Sequence, residues 1–293
     1  MSESKLIDSL STDSGREERS NWYIIKKAFT VAKYQFKFIF TYRLHIILML
    51  ASILFDVGIY FFLGILVDTG LLADQGYGDS YLLFALLGVA ISRYLWSSMA
   101  RISHQTHHAY IDGYFESTTG TRAGVYSWML GLAVYGFSWG TIWLLATLLI
   151  GMVAVLPMVF TALTFLETIL AILLGVFIHT GIGLIIAGVS IVHKRVDPIV
   201  FILTSLFSLF GGVIYPYSVL KMEPILFTIS RFIPFTHTLE IARLALGGGA
   251  EFTREILTHF AYLVPYLIFI PIGLKSVDYY YDKARKKEGI QSY

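Results

Sequence analysis

The chain has 293 residues, of which 56% are hydrophobic and only 14% charged, with a mean hydropathy of +0.68. That apolar share lies above the usual range of soluble domains and reads as an integral membrane protein, while a net charge of +2 gives no ground for a nucleic-acid partner. There are no cysteines, which excludes disulfides, thiol catalysis and Cys-ligated metal centres.

In chain order, residues 1–21 are polar, carry Asp8, Asp13, Glu17 and Glu18, and lack the apolar core of a signal peptide; they read as a disordered cytoplasmic head. Residues 22–43 are amphipathic. Trp22, Ile25, Phe29, Ala32, Phe36 and Ile39 recur at helical spacing, and Lys26, Lys33 and Lys37 make a neighbouring basic stripe, the pattern of a helix lying in the membrane interface. Leu44–Val67 is long enough to span, since about 20 apolar residues cross the hydrocarbon core. An acidic loop follows with Asp68, Asp74 and Asp79, and Tyr81–Ser103 forms the second span. The polar stretch 104–127 reads as a cytoplasmic loop. Its His104, His107 and His108 have metal-site spacing but lack the glutamate of a His-Glu-x-x-His motif, so they read as a wet helix end.

From Trp128 to Val192 there is no Lys, Arg or Asp; this is too long for one span, and Pro157 marks the turn between the third and fourth. The polar knot at His193–Pro198 precedes a fifth span, Ile199–Tyr215, and Ile256–Val277 forms the sixth before a basic tail at 278–293. Lys and Arg placement puts both termini in the cytoplasm. The expected fold is therefore all-α, with six membrane spans over residues 44–277.

Asp56, Arg93 and Glu167 fall well inside these spans, where charge is costly and calls for a partner or an interior face. Asp56 and Arg93 lie at matching depths in the first two spans, which predicts a buried structural pair. Glu167 is unpaired in sequence, close beyond Pro157, and reads as structural.

Residues 211–249 break the pattern. Pro216, Pro224 and Pro234 interrupt an apolar segment bounded by glycines. Proline forbids one straight helix here, and broken helix at membrane depth needs cover from protein or a wet cavity. The expectation is two short re-entrant helices, about Pro224–Phe232 and Pro234–Leu246, each starting on proline where the missing N–H costs nothing.

The order Gly211-Gly212-x-x-Tyr215-Pro216, then Glu223-Pro224, then Ile233-Pro234-x-x-x-x-Leu239-Glu240-x-x-Arg243 and a glycine tail resembles the signature of type-2 permeases of ATP-binding-cassette transporters. The cytoplasmic stretch Ile111–Arg122, with Gly113, Glu116, Thr119 and Arg122, resembles the coupling helix by which that family engages its motor; the proline often found after it is replaced by Gly120 and Ala123. The resemblance covers nearly the whole chain and implies a permease in the cell (inner or plasma) membrane that exports a drug, lipid or lipid-linked glycan. It implies two copies, or a close paralogue, with a separate P-loop ATPase that binds ATP and Mg, since no Gly-Lys dipeptide, and so no P-loop, occurs in this chain. It also implies that the chain is not itself an enzyme, and that Gly211, Gly212, Tyr215, Pro216, Pro234, Glu240 and Arg243 form a gate on the substrate's exit path. The alternatives are a membrane-embedded lipid-modifying enzyme using Asp56, Glu167 and His179, which are scattered, and an ion channel, for which no selectivity-filter loop is recognisable.

Overall fold

The structure, a computed structural model, describes residues 21–67, 69–120, 124–153, 161–193 and 197–287. The expected head at 1–20, the last residues of the tail, Asp68, Arg122, Pro157, Lys194 and Arg195 lie outside them. The described residues are helical throughout. In order they form α1 (Asn21–Thr41), α2 (Arg43–Leu66), α3 (Gly70–Asp74), α4 (Tyr81–Ile111), α5 (Phe115–Thr119), α6 (Gly124–Val153) and α7 (Ala162–Val192). These are followed by α8 (Asp197–Phe210), α9 (Tyr217–Leu220), α10 (Pro224–Arg231), α11 (Pro234–Leu246) and α12 (Arg254–Leu263), then a 3-10 turn (Val264–Ile268) and α13 (Phe269–Lys287).

Among the described residues, five helices are long and apolar enough to cross a membrane: α2, α4, α6, α7 and the run from α12 into α13. The chain is thus built as a multi-pass membrane protein. Burial separates the roles of these helices. In α4 the most apolar window is 83% buried and in α2 only 17%. In water the exposed Leu54, Phe55, Phe62, Ile65 and Leu66 of α2 would be a liability, but lipid is as apolar as leucine and imposes no such cost. Helix α4 is the hub, packed against α2, α6, α7 and α11, while α7 carries α13 along its length.

Several expectations change. The fifth expected span is observed as a 14-residue helix, α8, about 21 Å long against a core near 30 Å. It stops because Gly212 has φ +69°, a left-handed backbone that ends helices, and because Pro216 follows shortly after. Helix α4 does not end at Ser103: it runs on through the three histidines to Ile111. At 31 residues it is about 46 Å long and outruns the hydrocarbon core. The histidines thus form a helix end, as expected, and His108 is exposed; but the end is not wet throughout, since Ser103, Thr106 and His107 are buried. In the expected sixth span a 3-10 turn at Pro265 separates α12 from α13, as expected where proline removes a helical hydrogen bond. The tail expected from residue 278 continues as helix to Lys287, with Val277 and Ala284 buried.

Helix α1 packs across α6, but its expected apolar face divides. Ala32 and Ile39 are buried while Trp22 and Phe29 remain exposed, at 71% and 60%. Phe36 meets the Tyr135 ring edge-on at 5.2 Å.

Candidate functional site

The proline-broken stretch folds onto the end of α4 where the chain enters it. Helices α10 and α11 begin on Pro224 and Pro234 at their first turns, as the sequence predicts. Helix α11 is apolar enough to be sealed inside protein, and its residues are buried from Pro234 to Leu246. Two of them are charged. Arg243 is 0% exposed and Glu240 1%, and a buried charge is tolerated only when its hydrogen-bonding capacity is met.

Arg243 meets that demand with backbone. Its Nη1 donates to the carbonyl of Gly212 at 2.7 Å and its Nη2 to that of Val213 at 2.5 Å. Nε and Nη2 share the Phe84 carbonyl at 3.3 Å. The guanidinium also lies over the Phe84 ring, 3.5 Å from its centroid. Glu240 Oε1 is 3.8 Å from Arg243 Nη1, and Glu240 Oε2 accepts the Tyr77 hydroxyl at 2.5 Å. Burial, followed by the adjacent Glu240 carboxylate, pushes the Tyr77 phenol far above its ordinary range, so it stays a neutral donor. One arginine thus ties α11, the turn after α8 and the start of α4, and one tyrosine ties in the loop before α4.

The glycines make this approach possible. A Cβ on Gly211 would sit 2.2 Å from the Phe235 ring. Tyr81 donates to the Ile214 carbonyl at 3.1 Å, Tyr215 is half-buried beside the turn, and Pro216 caps α9. The structure therefore brings Gly211, Gly212, Tyr215, Pro216, Pro234, Glu240 and Arg243 to one end of the bundle. Sequence reading missed Tyr77, Phe84 and Gly88. Gly88, two turns into α4, carried the only local signal, a glycine inside an apolar helix. A Cβ there would lie 2.0 Å from the Val213 oxygen and 2.6 Å from Arg243 Nη2. Gly88→Ala is expected to cost at least the ~1–3 kcal/mol of overpacking. Gly58→Ala, where a Cβ would meet nothing within 4 Å, is expected to be neutral or to stabilise by up to ~1 kcal/mol. Thermal unfolding of the two variants checks the contrast, and equal melting temperatures would count against this packing.

A second buried group adjoins the first. His237 Nδ1 is 2.9 Å from His259 Nδ1, and His237 Nε2 is 2.9 Å from the Arg231 carbonyl. With Nε2 donating to that carbonyl, neutral His237 accepts at Nδ1 and His259 donates. The pair fastens α11 to α12.

At the opposite end of α4, the loop turns at Gly113, with φ +76°, and enters α5. Phe115 and Thr119 are buried while Glu116 is exposed. Phe115 packs edge-on to Tyr281 of α13 and against Tyr110, each at 6.3 Å, and the Thr119 hydroxyl donates to the Phe115 carbonyl at 2.8 Å. Helix α5 is therefore a short finger, fixed by its inner face, that presents Glu116 outward. Arg122, expected beside it, lies outside the described residues.

Asp56, Arg93 and Glu167, the charges singled out in the sequence, each have a partner. Arg93 Nη2 and Asp56 Oδ2 are 2.6 Å apart, with side chains 30% and 21% exposed, so the pair forms but is not buried. Arg93 also lies over the Trp143 ring at 4.9 Å. Losing either charge alone is expected to cost roughly 2–3 kcal/mol, the price of a lone charge in a span, and Asp56→Asn combined with Arg93→Gln is expected to cost less than the sum. Unfolding of the three variants measures this, and strict additivity would rule out the coupling. Glu167 is buried and accepts the backbone N–H of Phe252, a residue with φ +40°. It holds the loop before α12, a partner 85 positions away that its sequence neighbourhood did not disclose. His179 Nδ1 bonds the Gly175 carbonyl at 2.7 Å. Asp56, Glu167 and His179 thus each engage a different part of the chain, and among the described residues no cluster of three or more His, Asp or Glu that could hold a metal is present.

Comparison with models of known protein families, and with curated proteins, finds no match for this chain.

Proposed function

We propose that this chain is the membrane-spanning subunit of an ATP-binding-cassette exporter of the type-2 permease kind. It works as a pair with a second copy or a close paralogue, on a separate P-loop ATPase that binds ATP and Mg. In this reading six segments cross the cell membrane, with α8 as the short fifth. Both termini face the cytoplasm, and α10 and α11 dip back into the outer leaflet. The cargo is a drug, lipid or lipid-linked glycan leaving the cytoplasm or inner leaflet.

The observation that carries this reading is the meeting of distant parts of one sequence pattern. Glu240 and Arg243 from its end grip the Gly212 and Val213 carbonyls from its beginning. A chance assortment of prolines and glycines gives no reason for those pieces to form one unit. A rigid unit of this kind moves as a body when the helices below it tilt, as a gate driven from the far side of the membrane must. The outward Glu116 on the anchored α5 supplies a handle for the motor at the other end of α4.

Purification from native membranes tests the proposal. The expected result is an ATPase carrying a P-loop recovered in equal amount with the chain, whose hydrolysis is stimulated by the transported compound after reconstitution. A chain that purifies alone and turns over a lipid by itself would replace this reading with that of a lipid-modifying enzyme, and one that passes ions without ATP would replace it with that of a channel.

A further inference from the structure

Two arginines lie on one face of α4, two turns apart, and meet different surroundings. Arg93 has Asp56 at 2.6 Å. Arg101 has no carboxylate and no hydrogen-bond acceptor among the described residues. It has rings instead: its guanidinium lies 5.4 Å from the centroid of Tyr135 and 6.0 Å from that of Trp139, both on α6. Those rings are buried, at 1% and 2% exposure, while Arg101 is only partly buried. His45 of α2 stacks on Trp139 at 5.8 Å.

Arg101 does not have the freedom of an ordinary snorkelling side chain. Its stem runs beside Gly136, where a Cβ would lie 3.3 Å from Arg101 Cβ and 3.5 Å from its Cγ. The Ser97 hydroxyl, one turn earlier, donates to the Gly136 carbonyl at 3.3 Å, holding the two helices close. The guanidinium is therefore positioned, and no acceptor among the described residues takes its donors. A positioned arginine without a counter-ion is suited to a bidentate oxyanion.

Depth says which oxyanion. Arg101 is 20 residues beyond the start of α4 at Tyr81, about 30 Å along the axis, one hydrocarbon thickness. Arg93, about 18 Å along, is near the middle and needs an internal partner; Arg101 reaches the level of lipid phosphates. Helix α1 lies at the same level, since Phe36 touches Tyr135, and it exposes Lys33 and Lys37, a further attraction for anionic headgroups. Apolar surface for acyl chains is adjacent on α2, where Leu44, Ile47 and Leu48 are exposed.

We propose that Arg101, seated on Tyr135 and Trp139 between α4 and α6, is a binding site for the headgroup phosphate of one anionic phospholipid per chain. This goes beyond the transport proposal and stands whether or not the chain exports anything. It requires only that the long helices lie in a bilayer.

The test uses the full-length protein purified in neutral detergent, with native mass spectrometry against phosphatidylglycerol, phosphatidylcholine and inorganic phosphate. The expected result is one phosphatidylglycerol retained per chain in the presence of excess phosphatidylcholine. Occupancy should fall roughly tenfold in Arg101→Gln, the loss of about one charge-assisted contact, and be partly kept in Arg101→Lys. Equal retention by wild type and Arg101→Gln overturns the proposal, as does displacement of the lipid by inorganic phosphate, which would make the ligand a free anion. If Arg101→Gln does not fold, the wild type decides alone: phosphatidylglycerol must raise its melting temperature above that in phosphatidylcholine, and no difference overturns the site.

Discussion

Arg243→Ala is expected to destabilise the protein by about 3–5 kcal/mol, the cost of removing one member of a buried ion pair. Against a typical stability of about 5–15 kcal/mol, that is a loss most chains do not survive at full yield. The reason is structural. The substitution strands the carbonyls of Gly212, Val213 and Phe84, all of which Arg243 serves, and leaves Glu240 buried with only Tyr77. Each unsatisfied buried acceptor adds a desolvation penalty of about 1–3 kcal/mol where water cannot reach it. Two companions separate these effects. Glu240→Gln keeps an acceptor for Tyr77 and leaves all of the arginine's carbonyl contacts, so it is expected to cost far less. Arg243→Lys keeps the charge but not the fork that spans three carbonyls, and is expected to fall between them. Denaturant unfolding of the purified variants orders the three. An Arg243→Ala variant as stable as wild type would mean that the turn after α8 is held by something else.

The parts of this arrangement written in local sequence could be read from it. Proline at the first turn set the starts of α10 and α11, because the effect of proline on its own helix needs no knowledge of the rest of the chain. The partnership of Asp56 and Arg93 was legible because charge inside an apolar span demands an answer and only one lay at the same depth. What was hidden depends on distant residues. Tyr77 stands 163 positions from Glu240, and nothing in a loop tyrosine announces that a helix will cover it. The burial of His107 could not be read from polarity, because the polar end of α4 is sheltered by α6 and α7. The short α8 looked like a full span because composition alone extended it through Gly211 and Gly212, and the positive φ at Gly212 is what ends it. The apolar surface of α2 and the buried face of α4 read alike as runs of leucine and isoleucine. In lipid the two cost the same, so hydropathy has no means of telling periphery from core.

At the other end of α4, two neighbouring residues should behave in opposite ways. Glu116→Arg is expected to leave folding untouched, since the side chain is exposed and surface changes usually stay within ~0.5 kcal/mol. If the chain works on a separate ATPase as proposed, Glu116→Arg is expected to lower affinity for it by roughly tenfold or more, as reversal of a charge at a complementary interface does, and with it transport, while the ATPase continues to hydrolyse ATP. Phe115→Ala is expected to do the reverse. Phe115 is 4% exposed and wedges α5 against Tyr110 and Tyr281, so its truncation is expected to cost about 3–5 kcal/mol and to loosen the finger without removing its charge. Melting temperature, ATPase recovery on pull-down and transport, measured together on both variants, separate a contact residue from an anchoring one. Full coupling in Glu116→Arg would leave α5 as a structural loop closure and would remove it from the proposed contact with an ATPase.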